Sequence, residues 1–203
     1  MILNKRSLPA SFQLIKLIAE LDKMVFEKDA IREIVFVEKE IGEEMDCFAG
    51  YHPEHESPEG KEYYTVHECL DNKIQKVLPT QKHIYINEVL SHSSWEDLQT
   101  FTEEEFLVGL AAHEVRHRVQ ERFQTSLFSP EEKKKTKNKD LKALLVLIEM
   151  KLKKEAFLTA NDFLKEFDAC IIEYLAAKKW HEGANFQEIV KIIKKSAEEF
   201  RED

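Results

Sequence analysis

Between Thr102 and about Phe123 the chain has every local signal of a buried helix. Thr102-Glu103-Glu104-Glu105 is a capping box, in which the Thr side chain and the Glu three residues on satisfy free backbone N–H groups. From Phe106 to Ala112 apolar residues lie around most of the helical circumference, so this helix belongs inside the protein. His113-Glu114-Val115-Arg116-His117 continues it. Residues four apart share a face, so His113 and His117 direct two imidazoles at one metal ion. Glu114, about 100° round the wheel, is placed to handle a proton on water at that metal. H-E-x-x-H on a helix is the layout of a zinc hydrolase; the competing reading is a pair of core histidines meeting by accident.

On the wheel, Phe106, Gly109, Leu110, His117, Gln120 and Gln124 share the side of His113. Leu107, Val108, Ala111, Ala112, Val115 and Val119 occupy the other side, which suits packing on the core. Gly109 costs the helix roughly 1 kcal/mol relative to Ala. One turn before His113, it makes sense if something approaches closely there or if the packing is tight. Arg116 and Gln120 either orient neighbouring groups or face solvent.

Around this helix the pattern divides the chain in two. Ser11 to Lys28 has apolar residues at a helical period, from Phe12 to Val25. Ile31 to Val37 is β-branched and reads as a strand, and Met45 to Tyr51, Tyr63 to Cys69 and His83 to Asn87 are further strands. After Phe123 comes a polar, Lys-rich loop. Asp140 opens a helix to about Phe157, Thr159 with Asp162 caps another to about Trp180, and Gly183 ends it. Asn185 with Glu188 caps a last helix. The expected fold is α+β: a small antiparallel or mixed sheet in the N-terminal half, packed on a helical core. Residues 1–203 form one domain, with a helix plus small sheet over 1–100 and the metal-helix half over 101–203.

The net charge of −9 provides no dominant basic surface, so nucleic acid is not an expected partner. The run from Lys133 to Lys139 is offset by Glu131, Glu132 and Asp140 and reads as a solvated loop. No apolar run reaches the length of a membrane span. The three cysteines (Cys47, Cys69 and Cys170) have no C-x-x-C spacing, which argues for a reducing compartment, and a cytoplasmic location is expected.

A catalytic zinc takes three protein ligands. No histidine follows His117 at the H-x-x-G-x-x-H spacing, which leaves a carboxylate on a later helix. The candidates lie in the segment from Glu166 to Ala176. Glu166 and Asp168 flank its apolar arc about 200° apart, so only one can aim at the metal. Cys170 and Glu173 lie on the flank of Glu166.

The pairing of His113-Glu114-Val115-Arg116-His117 with Glu166-Phe167-Asp168-Ala169 resembles the gluzincin branch of the zincin metallopeptidases. It is similar in particular to small soluble ImmA/IrrE-like and HtpX-like peptidase domains. Those carry H-E-x-x-H on one helix and E-x-E-A-D or E-x-E-A-N on a second. The resemblance covers about Phe101 to Ala177. It implies Zn2+ held by His113, His117 and Glu166, with Glu114 as general base. The chain departs from the pattern at its fifth position, where Cys170 replaces the usual Asp or Asn. Asp168, Cys170 and Glu173 are then reserve ligands or supports of the metal.

What the resemblance implies is hydrolysis of a peptide or protein substrate, with oxyanion help from Tyr174 or His181. It also gives the strand His83 to Asn87 the task of pairing with extended substrate. Two further classes stay open: a zincin-like metal-binding regulatory or interaction module without turnover, and a helical interaction protein without metal.

Overall fold

The computed structural model describes residues 8–31, 33–37, 48–57, 59–68, 70–71, 101–123, 125–137, 139–153 and 159–201. The chain begins with α1 (Ala10–Phe26), followed by strands β1 (Ile34–Val37), β2 (Ala49–His52) and β3 (Tyr63–His67). The second half is helical: α2 (Glu103–Arg122), a single turn α3 (Glu132–Lys135), α4 (Lys139–Leu152), α5 (Ala160–His181) and α6 (Phe186–Lys194). This is the expected α+β division. The expected strand His83–Asn87 and the start of the Met45–Tyr51 strand lie outside the described residues, as do Cys47 and Cys69.

In α1, Leu14, Ile18, Leu21 and Val25 recur at helical spacing and are all buried. Its first turn is held from outside, because Asp71 accepts from the Ser11 backbone N–H (2.8 Å) and from the Ser11 hydroxyl (2.7 Å). The strand order is β1-β3-β2, with β1 parallel and β2 antiparallel to β3, so the sheet is mixed. As the middle strand, β3 is buried from Tyr64 to His67. The sheet meets α1 through β3 and α2 through β2.

α2 is the centre of the molecule. It packs most extensively on α5, and also on α1, α6 and β2. Contacts between α2 and α5 run antiparallel: Glu104 and Glu105 meet Trp180 and His181 at one end, and Gln120 and Glu121 meet Lys165 at the other. The capping boxes at Thr102–Glu105 and Asn185–Glu188 form as the sequence requires, and Thr159 caps α5. Gly183 ends α5 at φ 90°, the left-handed region that glycine enters freely. The loop after α2 is less uniformly polar in structure than in sequence. It contains α3, and Phe128 is buried in the core.

Candidate metal centre

Gly109 explains how α5 comes close enough to build a site. A Cβ added there would lie 2.9 Å from the carbonyl oxygen of Glu173 and 3.3 Å from the Ala177 side chain. The missing side chain lets the two helices cross tightly one turn before His113. From that crossing, positions 166, 170 and 173 of α5 share one helical face. That face lies over His113 and His117.

His113 Nε2 and His117 Nε2 are 3.0 Å apart. Glu166 places one oxygen 3.4 Å from His113 Nε2 and the other 3.2 Å from His117 Nε2. The other ring nitrogens are taken. Glu173 Oε2 lies 3.0 Å from His113 Nδ1, and a carboxylate only accepts, so this nitrogen carries the proton. Gln120 Oε1 lies 3.0 Å from His117 Nδ1. The amide of Gln120 is oriented unambiguously, because its NH2 donates to the Lys165 carbonyl (2.9 Å) and to Asp168 Oδ2 (2.8 Å). Its oxygen therefore faces His117, and the His117 proton also sits on Nδ1.

Both Nε2 atoms are thus bare lone pairs in the neutral rings, converging with two carboxylate oxygens. With both rings in these tautomers, two nitrogens and two carboxylate oxygens face one another as acceptors, a set that either a metal cation or a proton on His113 holds together. The separations of 3.0, 3.2 and 3.4 Å, the last two to different oxygens of Glu166, are close to the about 3.3 Å between ligand atoms of a tetrahedral ion with bonds of about 2.0–2.1 Å. The residues therefore fit zinc in donor type, number and spacing. Burial opposes charge on both sides of this cluster, yet charge wins. Desolvation would lower His113, but hydrogen bonds with Cys170, Glu166 and Glu173 outweigh it and hold the imidazole well above its ordinary value. Desolvation would raise Glu166, but its bonds to His113 and His117 hold the carboxyl far below the usual range. Both directions describe a pocket that favours positive charge between the rings and Glu166.

Glu114 is 5% exposed, and among the described residues its carboxylate has no hydrogen-bond partner. Burial raises its pKa above its ordinary value, partly offset by the nearby His113 and His117. Buried beside the rings and without a hydrogen-bond partner among the described residues, this carboxylate is open to bind water.

The remaining sequence candidates are distributed around this cluster. Asp168, a reserve ligand by sequence, points away from it and is wholly buried against Arg116, with Nε–Oδ2 at 2.6 Å and Nη2–Oδ1 at 3.1 Å. It also accepts from the Phe128 backbone N–H at 2.9 Å. Cys170 and Glu173 form a second possible ligand group with His113, with Glu173 on the far nitrogen of its ring. Tyr174 sets its ring edge-on against Phe101. His181 bonds Glu105 at 2.9 Å, at the first turn of α2 and two turns from His113. Of the two fates the sequence left open for Arg116 and Gln120, both residues take the orienting one.

Sequence reasoning missed Arg118, Asp22 and Glu62. Arg118 is buried and bonds Asp22 (2.8 and 3.0 Å), Glu62 (2.9 Å) and the Asp29 carbonyl (2.5 Å). Tyr64 donates to the same Asp22 at 2.7 Å. The available signal was a second arginine two residues after Arg116, on a helix side that also carries Ala111, Glu114 and Val115. Set against protein-family models, curated proteins and solved structures, the chain matches none. No described helix is long and apolar enough to cross a membrane.

Proposed function

We propose that the chain is a zinc-dependent metallopeptidase, with His113, His117 and Glu166 holding the ion and Glu114 as general base. The observation that carries this reading is the convergence of two imidazole nitrogens and a carboxylate beside a buried glutamate that has no hydrogen-bond partner among the described residues. Bound there, zinc would supply Lewis acidity, the property that makes water acidic near neutrality and polarises a scissile carbonyl. Glu114 would take the proton of the attacking water on its carboxylate and pass it to the leaving amine. The burial that raises Glu114 also makes it a better proton acceptor than an exposed glutamate. The substrate class is a peptide or protein, and the sparse cysteines favour the cytoplasm.

One observation favours a second reading, a zincin-like module that binds metal without turnover. Of the two oxyanion candidates, His181 is tied to Glu105 and Tyr174 lies against Phe101. The two readings separate in one experiment. Metal content by elemental mass spectrometry should give about one zinc per chain, lost in His113→Ala and Glu166→Ala. Glu114→Gln should keep the zinc and lose cleavage of a peptide library. Zinc binding with no cleavage by the wild type would favour the module. No zinc after reconstitution would end both readings.

A further inference from the structure

His113 and His117 are held in different ways. His113 gives its Nδ1 proton to a carboxylate, Glu173, at 3.0 Å. His117 gives its own to a neutral amide, Gln120, also at 3.0 Å. Each partner is itself fixed. The backbone of Glu173 sits at the helix crossing, where its carbonyl oxygen would meet a Cβ on Gly109 at 2.9 Å. The amide of Gln120 is pinned by Lys165 and by Asp168, which is locked to Arg116. Nδ1 of each ring is occupied by an acceptor, and Nε2 of each is turned to Glu166.

We propose that Glu173 and Gln120 are positioning residues of the metal centre, Glu173 acting on His113 through its charge and Gln120 joining His117 to the Arg116–Asp168 pair. This rests on the metal-centre reading above. A hydrogen bond on the outer nitrogen fixes a metal-binding imidazole's tautomer and ring plane and strengthens its other nitrogen as a donor. An anionic acceptor does this more strongly than a neutral one, so the site is asymmetric, with His113 the stronger donor. Cys170 lies one turn before Glu173 on the same face, with its sulfur within 4.8 Å of a His113 ring nitrogen. Position 170 is therefore a second place from which a carboxylate can reach His113. If Glu173 acts by orienting the ring, Cys170→Asp takes over its task.

The test is the zinc affinity of the full chain, measured by competition with a chromophoric chelator. Glu173→Ala and Gln120→Leu should each weaken binding by about 10- to 100-fold, and Glu173→Gln by less than Glu173→Ala. Adding Cys170→Asp to Glu173→Ala should recover most of the loss. The unfolding temperature of the metal-free protein should not change across the series. In the zinc-loaded wild type, proton NMR should show slowly exchanging Nδ1–H signals from both rings, one of them lost in each single variant. Wild-type affinity in both Glu173→Ala and Gln120→Leu would overturn the inference and leave the metal centre standing. Weakened binding that Cys170→Asp does not recover, with a lowered unfolding temperature, would make Glu173 a packing residue and overturn it too. A wild type that binds no zinc would overturn the metal centre itself.

Discussion

Asp168 shows how far a helical wheel can go. The wheel separates Glu166 from Asp168 by about 200°, so one of them had to face elsewhere. It does not say what waits on the other side. That partner is Arg116, fully buried and also bonded to the carbonyls of Ile193 (2.6 Å) and Lys195 (3.0 Å). Nothing near Arg116 in sequence announces it, because Asp168 is 52 residues away. Removing one partner of a buried pair strands the other, at a cost of about 3–5 kcal/mol. Asp168→Ala should therefore lower stability by that amount in urea unfolding. Asp168→Asn, which keeps the shape and some of the hydrogen bonds, should cost less and retain full zinc stoichiometry. Loss of zinc from a folded Asp168→Asn would show that Asp168 acts on the cluster, directly or through Gln120.

The helices were largely legible. Their caps are local devices, with both partners three residues apart, so Thr102–Glu105 and Asn185–Glu188 can be read without knowing the fold. Gly109 was legible only as an anomaly, since what approaches it is the α5 backbone. Gly109→Ala sets two effects against each other. Alanine favours the helix by roughly 1 kcal/mol. Its methyl would have to displace the α5 backbone at Glu173, and overpacking of this kind costs about 1–3 kcal/mol. Backbone yields less readily than a side-chain end, so the clash should win. Thermal melts should show a less stable protein, and chelator competition a weaker zinc site, because Glu166 and Glu173 move with α5. A variant that is more stable and binds zinc as the wild type does would mean that α5 can retreat freely.

Across the whole molecule the two halves are joined by charge as well as by apolar packing. Arg118 on α2 holds Asp22 of α1 and Glu62 just before β3, with the ring of Phe26 stacked beneath its guanidinium at 4.0 Å. Burial alone would raise Glu62, but hydrogen bonds from Arg122 and Tyr51 and the charges of Arg118 and Arg122 hold it below its ordinary 4.5. A carboxylate depressed in the folded state stabilises the fold above its unfolded pKa and loses that contribution as pH falls through the folded one. Glu62→Gln should therefore be less stable than wild type at neutral pH. The gap should narrow progressively below pH 4.5. Melts from pH 7 to pH 3 read this directly, and a gap of constant size would show that Glu62 acts through shape alone. This junction escaped the sequence for the reason Arg116 did: Asp22 and Arg118 are 96 residues apart.

The distances along the chain of these two arginine networks carry a consequence in time. On the ribosome, Arg118 finds Asp22 and Glu62 already made. Arg116 has to wait for Asp168, and then 77 residues in all for the Ile193 carbonyl. Contacts of such long sequence separation form late, because loop-closure entropy must be overcome before they add any stability. The Glu166 carboxylate arrives in that same late interval. A nascent chain halted before α5 would display its histidine pair on a helix with an unneutralised guanidinium and without the Glu166 carboxylate beside it. The order of synthesis thus keeps the cluster incomplete until α5 has been translated.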